Sequence, residues 1–168
     1  MMEKITANDY TSPSRREAFS LGESVSVVGV CLDDEAWKFL RQFADSTGLI
    51  QVPGNVTEYR ASQDQDALLE SLGSLSPDVC LVDFDKDRAA AAIVAEHIHS
   101  GLSNTAVFAL SSQTSPEAIL EAMRAGCGEY LTKPLEREQL VKAIARIGSR
   151  RKEKEKQKQR WLKKEYLK

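Results

Sequence analysis

No stretch of this 168-residue chain approaches the roughly 20 consecutive apolar residues that a membrane-spanning helix requires, and that absence excludes a helical membrane protein. The opening residues, Met1 to Ser24, have no apolar core, which excludes an ordinary secretory signal. Its three cysteines (Cys31, Cys80, Cys127) show no paired spacing, and two lie in apolar, strand-like runs. A disulfide framework is therefore not expected, and a reducing, cytoplasmic setting is. No glycine-rich phosphate loop follows the first apolar run, so a nucleotide-binding enzyme is not indicated. No helix-turn-helix pattern and no solenoid period occur, which argues against DNA recognition and repeat architectures.

Charge, by contrast, is plentiful and unevenly placed. The net charge is -2 overall. Residues 1–148 carry 13 basic and 22 acidic side chains, whereas residues 149–168 carry 10 basic and 3 acidic ones. The chain thus reads as an acidic body with a basic arm. Residues 1–22 are expected to be a mobile leader, 23–148 the folded domain, and 149–168 a basic extension, helical or flexible. Ser149 to Arg160 contains no apolar side chain, so a solvated helix or tail is the plain reading. Trp161-Leu162 and Tyr166-Leu167 then return apolar surface, as a partner-binding or dimerising helix would.

Within the body, apolar runs alternate with helical patterns. Val25 to Leu32 is nearly continuously apolar, as in a strand buried on both faces. Asp33-Asp34-Glu35 opens a helix carrying Trp37, Leu40 and Phe43 at helical spacing. Leu49 to Arg60 contains the turn signal Pro53-Gly54-Asn55, which predicts an irregular or short second strand. Further strands are expected at Asp78–Asp83, Thr105–Leu110 and Glu129–Thr132. Helices are expected at Asp64–Leu75, Asp87–His99, after Ser115-Pro116, and from Glu136 onward. Five β–α units in alternation predict an α/β fold, a doubly wound parallel sheet with helices on both faces. In such sheets the carboxyl ends of the strands form the ligand crevice. Asp83 and Lys133 each end an apolar run, so they meet there, a carboxylate nucleophile beside a cation.

Pro77-Asp78-Val79-Cys80-Leu81-Val82-Asp83 and Ala125-Gly126-Cys127-Gly128-Glu129-Tyr130-Leu131-Thr132-Lys133-Pro134 carry a resemblance to the receiver domain of two-component response regulators, over about Val25 to Ile147. The resemblance implies a flavodoxin-like five-stranded sheet of order 2-1-3-4-5. It implies that Asp83 accepts a phosphoryl group from a sensor histidine kinase or phosphotransfer protein, with Mg²⁺ alongside. Lys133 and Ser111 would then bind the phosphoryl oxygens, and Pro134 would hold a tight turn. Tyr130 matches the aromatic position that turns inward on phosphorylation, although a packed tyrosine is the plainer reading. For the metal, the resemblance implies Asp33, Asp83 and the backbone carbonyl of Asp85, with the Asp85 side chain as a second candidate to replace a lost acid.

Departures from the pattern are equally specific. Two adjacent acids usually follow strand one, whereas Leu32 and Asp33 stand here, unless Asp34 serves by a one-residue shift. Phe84-Asp85-Lys86-Asp87-Arg88 replaces the usual loop rich in proline, glycine and methionine. His97 and His99 lie two apart on a helix and are poor joint metal ligands. Two functions follow. One is a phosphoacceptor receiver, not itself an enzyme, that switches protein contacts as a homodimer. The other is a degenerate receiver that docks or dimerises without phosphoryl chemistry, as in related domains ahead of pilus- or secretion-positioning ATPases.

Overall fold

The computed structural model describes residues 24–59 and 65–166; the expected leader at 1–22 lies outside them. Ser24–Leu140 form one compact unit, and the described residues from Val141 onward belong to a second. In chain order the elements are β1 (Val25–Val30), α1 (Asp34–Thr47), β2 (Ile50–Val56), α2 (Gln65–Leu75) and β3 (Val79–Asp83). They continue with α3 (Arg88–Gly101), β4 (Ala106–Ser111), α4 (Pro116–Arg124), β5 (Glu129–Thr132) and α5 (Arg137–Tyr166). All strand pairings are parallel, and the sheet order is β2-β1-β3-β4-β5.

Strand β3 explains the layering. Its five residues are all buried, so both faces must be covered. Cys80 and Val82 join Val28, Val30, Val107 and Ala109 in a core with Leu68, Leu72, Val94, Ala95 and Ile98 from α2 and α3. Leu81 and Phe108, one residue out of phase on their strands, point to the opposite face. There α1 buries Leu40 and Phe43. No helix among the described residues is long and apolar enough to cross a membrane.

Strand β2 departs from expectation. It is irregular as foreseen, with a register shift against β1 between Ser26 and Val28. It is not short, however, and Pro53-Gly54-Asn55 runs inside it rather than turning. The reason is its place at the sheet edge. There a bulge absorbs the extra residue, and a proline can sit without depriving a neighbour of a ladder bond. At the other edge, Thr132 donates its backbone N–H to Gln139 Oε1 (3.0 Å) and accepts from Gln139 Nε2 (3.1 Å).

Helix starts follow their caps. Asp33, Asp87 and Ser115 each accept a backbone N–H three residues on. Ser115→Ala is expected to cost about 1 kcal/mol through the lost bond to Ala118. Urea unfolding should show a lower midpoint at unchanged slope; an unmoved midpoint would show that the cap carries no weight.

Candidate functional site

Parallel register places the site residues. Asp83, the last residue of β3, pairs with Leu110, and Ser111 pairs with Thr132. Ser111 and Lys133 therefore emerge one step beyond, at the carboxyl ends of neighbouring strands. The Lys133–Pro134 peptide is cis, and the Lys133 N–H donates to the Ser111 carbonyl (3.0 Å).

Three carboxylates converge on one ammonium. Lys133 Nζ lies 2.7 Å from Asp33 Oδ2, 2.8 Å from Asp83 Oδ2 and 3.0 Å from Asp85 Oδ2. The Asp83 side chain is 3% exposed and that of Asp33 46%, so the first is a crevice-floor group and the second stands at the rim. Asp83 Oδ1 accepts the Asp85 N–H (2.9 Å). Asp33 is bidentate in role, since its Oδ1 also caps α1 through the Ala36 N–H (2.8 Å). Asp34 is exposed in the first turn of α1 and is not among the carboxylates that meet Lys133.

The electrostatics follow from this crowding. Burial pushes the Asp33 carboxyl up, but the Lys133 hydrogen bond, the Ala36 N–H and the ammonium charge outweigh it and hold Asp33 below the usual carboxylate range. Burial likewise opposes Asp85, where Ser111, Lys133 and the Ser112 N–H prevail, again lowering its pKa. Burial would discharge Lys133, yet its bonds to Asp33, Asp83 and Asp85 raise its pKa above the ordinary lysine value.

Leu32, next to Asp33, is buried against β1. It is 6% exposed, and a Cβ at Gly29 would lie 2.5 Å from its Cδ1. Leu32 thus packs back over β1, after a left-handed residue at Cys31 (φ 60°) redirects the chain.

The Asp85 side chain, which the sequence offers beside its backbone carbonyl, enters the pocket. It accepts from Ser111 Oγ (2.8 Å) and from the Ser112 N–H, 3.1 Å from each of its oxygens. The hydroxyl of Tyr59, half-buried after β2, donates to the Asp83 carbonyl oxygen. Burial raises the Tyr59 pKa, and the phenol stays a proton donor. Only its aromatic ring beyond a strand end marked it, which is too weak a signal. Tyr130 is half-buried and donates to the Gln113 carbonyl (2.7 Å).

Three carboxylates against one ammonium leave the cluster with an excess of negative charge. Its oxygen-only donors have the chemistry that a hard divalent cation selects. No set of three His, Cys, Asp or Glu side chains among the described residues is arranged as a metal site; the ammonium stands where the carboxylates converge.

Comparison with known proteins matches this architecture. The family model described as the response regulator receiver domain matches residues 31–145. Similar solved structures include the signal receiver domain of a modulated diguanylate cyclase from Desulfovibrio desulfuricans G20. It is 22% identical with a TM-score of 0.63, covering 78% of this chain and 98% of that one. A protein assigned to pilus assembly (cpaE) from Burkholderia thailandensis E264 is 23% identical, with a TM-score of 0.62 over 74% and 98% of the two chains. A response regulator from Thermotoga maritima is 19% identical, with a TM-score of 0.60 over 75% and 98%. A search of curated protein sequences finds no match. With the family model spanning more than half of its length, the chain belongs to the response regulator receiver domain family.

Proposed function

We propose that this domain accepts a phosphoryl group on Asp83 from a protein phosphohistidine and uses it to change protein contacts. The observation that carries the proposal is the floor of the crevice. There a buried carboxylate is held by one ammonium and one backbone N–H, beside the Ser111 hydroxyl. In the reaction an Asp83 oxygen attacks phosphorus, the P–N bond breaks, and its electron pair leaves with the imidazole of the donor. Lys133 offers a point charge to the transferring oxygens, and Ser111 offers a hydroxyl. Mg²⁺ belongs to the same proposal, held by the carboxylates of Asp33 and Asp83 and by the backbone carbonyl of Asp85. When bound it would offset the charge of the two approaching anions.

The test is mass. Incubation with Mg²⁺ and acetyl phosphate is expected to add one phosphoryl group to the intact chain, and Asp83→Asn is expected to abolish that gain. A folded wild-type protein that gains no mass at millimolar Mg²⁺ sinks the proposal. A docking module without phosphoryl chemistry is then the better reading. The inward-packed Leu32 favours that second reading, as does the resemblance to a pilus-assembly protein. Cytoplasmic placement and homodimerisation are part of the first proposal. Unchanged sedimentation on deleting residues 149–168 would count against dimerisation through that segment.

A further inference from the structure

Resting on the phosphoacceptor reading, we infer that the Asp85 carboxylate is an internal competitor of the phosphoryl group. It holds the very donors that the group on Asp83 needs, and it must leave them for the reaction to proceed.

The hydrogens available in the crevice are few. Lysine has three N–H donors, a serine hydroxyl one, and a backbone amide one. At Lys133 the three are taken by Asp33, Asp83 and Asp85. The single hydroxyl hydrogen of Ser111 goes to Asp85 Oδ1. The single N–H of Ser112 is shared between the two oxygens of Asp85. These three donors at the ends of β4 and β5 are therefore engaged, and Asp85 takes part in each case. A phosphoryl oxygen arriving on Asp83 has to displace this side chain to reach them.

The geometry also shows how it can withdraw. Asp85 lies in the short segment between β3 and α3, and its side chain is 25% exposed. Its backbone N–H stays anchored on Asp83 Oδ1 (2.9 Å), so the carboxylate can rotate to solvent while the main chain stays in place. Occupancy has a second consequence. Ser111 Oγ accepts the Gln113 N–H (3.0 Å), and the Gln113 carbonyl accepts the Tyr130 hydroxyl (2.7 Å). Asp85 thus keeps a chain of bonds from crevice to Tyr130 engaged with no phosphoryl group present. The charge and donor pattern of a modified aspartate is partly supplied from within.

Beryllofluoride, a phosphoryl analogue, tests this on the full chain with Mg²⁺, its uptake followed by fluorine NMR. Asp85→Ala, which keeps the backbone carbonyl, is expected to bind about tenfold more tightly than the wild type, the scale of one charge-assisted hydrogen bond. Asp85→Asn keeps an acceptor oxygen without the charge and should fall between. In the absence of metal and analogue, the Ser112 amide resonance should move on Asp85→Ala. Wild-type uptake that Asp85→Ala leaves unchanged or weakens overturns the competition alone, as does an unmoved Ser112 amide. Uptake in neither protein overturns the acceptor reading and the competition with it.

Discussion

Lys133→Met is expected to lower the unfolding free energy by about 3 kcal/mol, the loss typical when one partner of a buried ion pair is removed. Methionine nearly matches the stem in volume, so the effect isolates the charge. Left behind are the Asp83 carboxylate on the crevice floor and two more carboxylates, Asp33 and Asp85, facing it with no counter-charge. Chemical denaturation measures the loss, and a change below about 1 kcal/mol would place Lys133 among exposed pairs of little worth. The pH profile supplies an independent check. Asp33 and Asp85 have depressed folded pKa values, so their contribution is present above the unfolded carboxylate value, about 4. It is lost as pH falls through the folded value. Lys133 is shifted upward, so its contribution is complete below the unfolded lysine value of about 10.4 and fades as pH rises through the folded one. Wild-type stability should therefore be level across neutral pH and fall on acidification. In Lys133→Met the acid limb should flatten, because the ammonium that depressed both carboxyls is gone.

The second large effect is a backbone one. Gly126→Ala is expected to cost about 3 kcal/mol, combining left-handed strain with overpacking. Gly126 follows α4 with φ at 102°, a region that side-chain-bearing residues rarely adopt. A Cβ there would sit 2.5 Å from His99 Cγ and 2.7 Å from His99 Cβ. Because the second of these atoms is fixed to the α3 backbone, no rotamer change clears it fully. Adding His99→Ala removes the Cγ contact but keeps the Cβ, so it should recover part of the steric share and leave the rest together with the backbone share. Full recovery in the double variant would show that the φ value costs nothing, and no loss in the single variant would remove the whole argument.

How much was legible in the sequence differs from residue to residue. Val79–Asp83 announces itself because a strand buried on both faces has to be apolar throughout, and an acid at its end is conspicuous. Ser115-Pro116 is equally plain, since cap chemistry acts within one turn. Lys133 is marked by its position just past a short apolar run and Ser111 by the resemblance, and the crevice brings Lys133 to Asp83 and Ser111 to Asp85. Strand β2 was obscured because Pro53-Gly54-Asn55 is a turn signal only where no neighbouring strand claims the backbone. Pairing with β1 overrode the local preference. For Asp85 the sequence leaves carbonyl and side chain both open, because side-chain direction in a loop depends on donors 26 and 27 positions away, Ser111 and Ser112. Tyr59 is 24 positions from its acceptor, a pairing set by the fold rather than by any local pattern.

The two margins of the sheet have a consequence for association. An uncovered strand invites another chain to extend the ladder. Along β2, Pro53 and the register shift interrupt the row of donors that a visiting strand would need. Along β5, only four residues long, the Gln139 amide imitates a neighbouring strand at Thr132, and Pro134 has no N–H to offer. Strand addition is thereby discouraged at either margin. A partner of the proposed kind would then approach through helical faces or through the loops around the crevice, next to the carboxylate proposed to be modified.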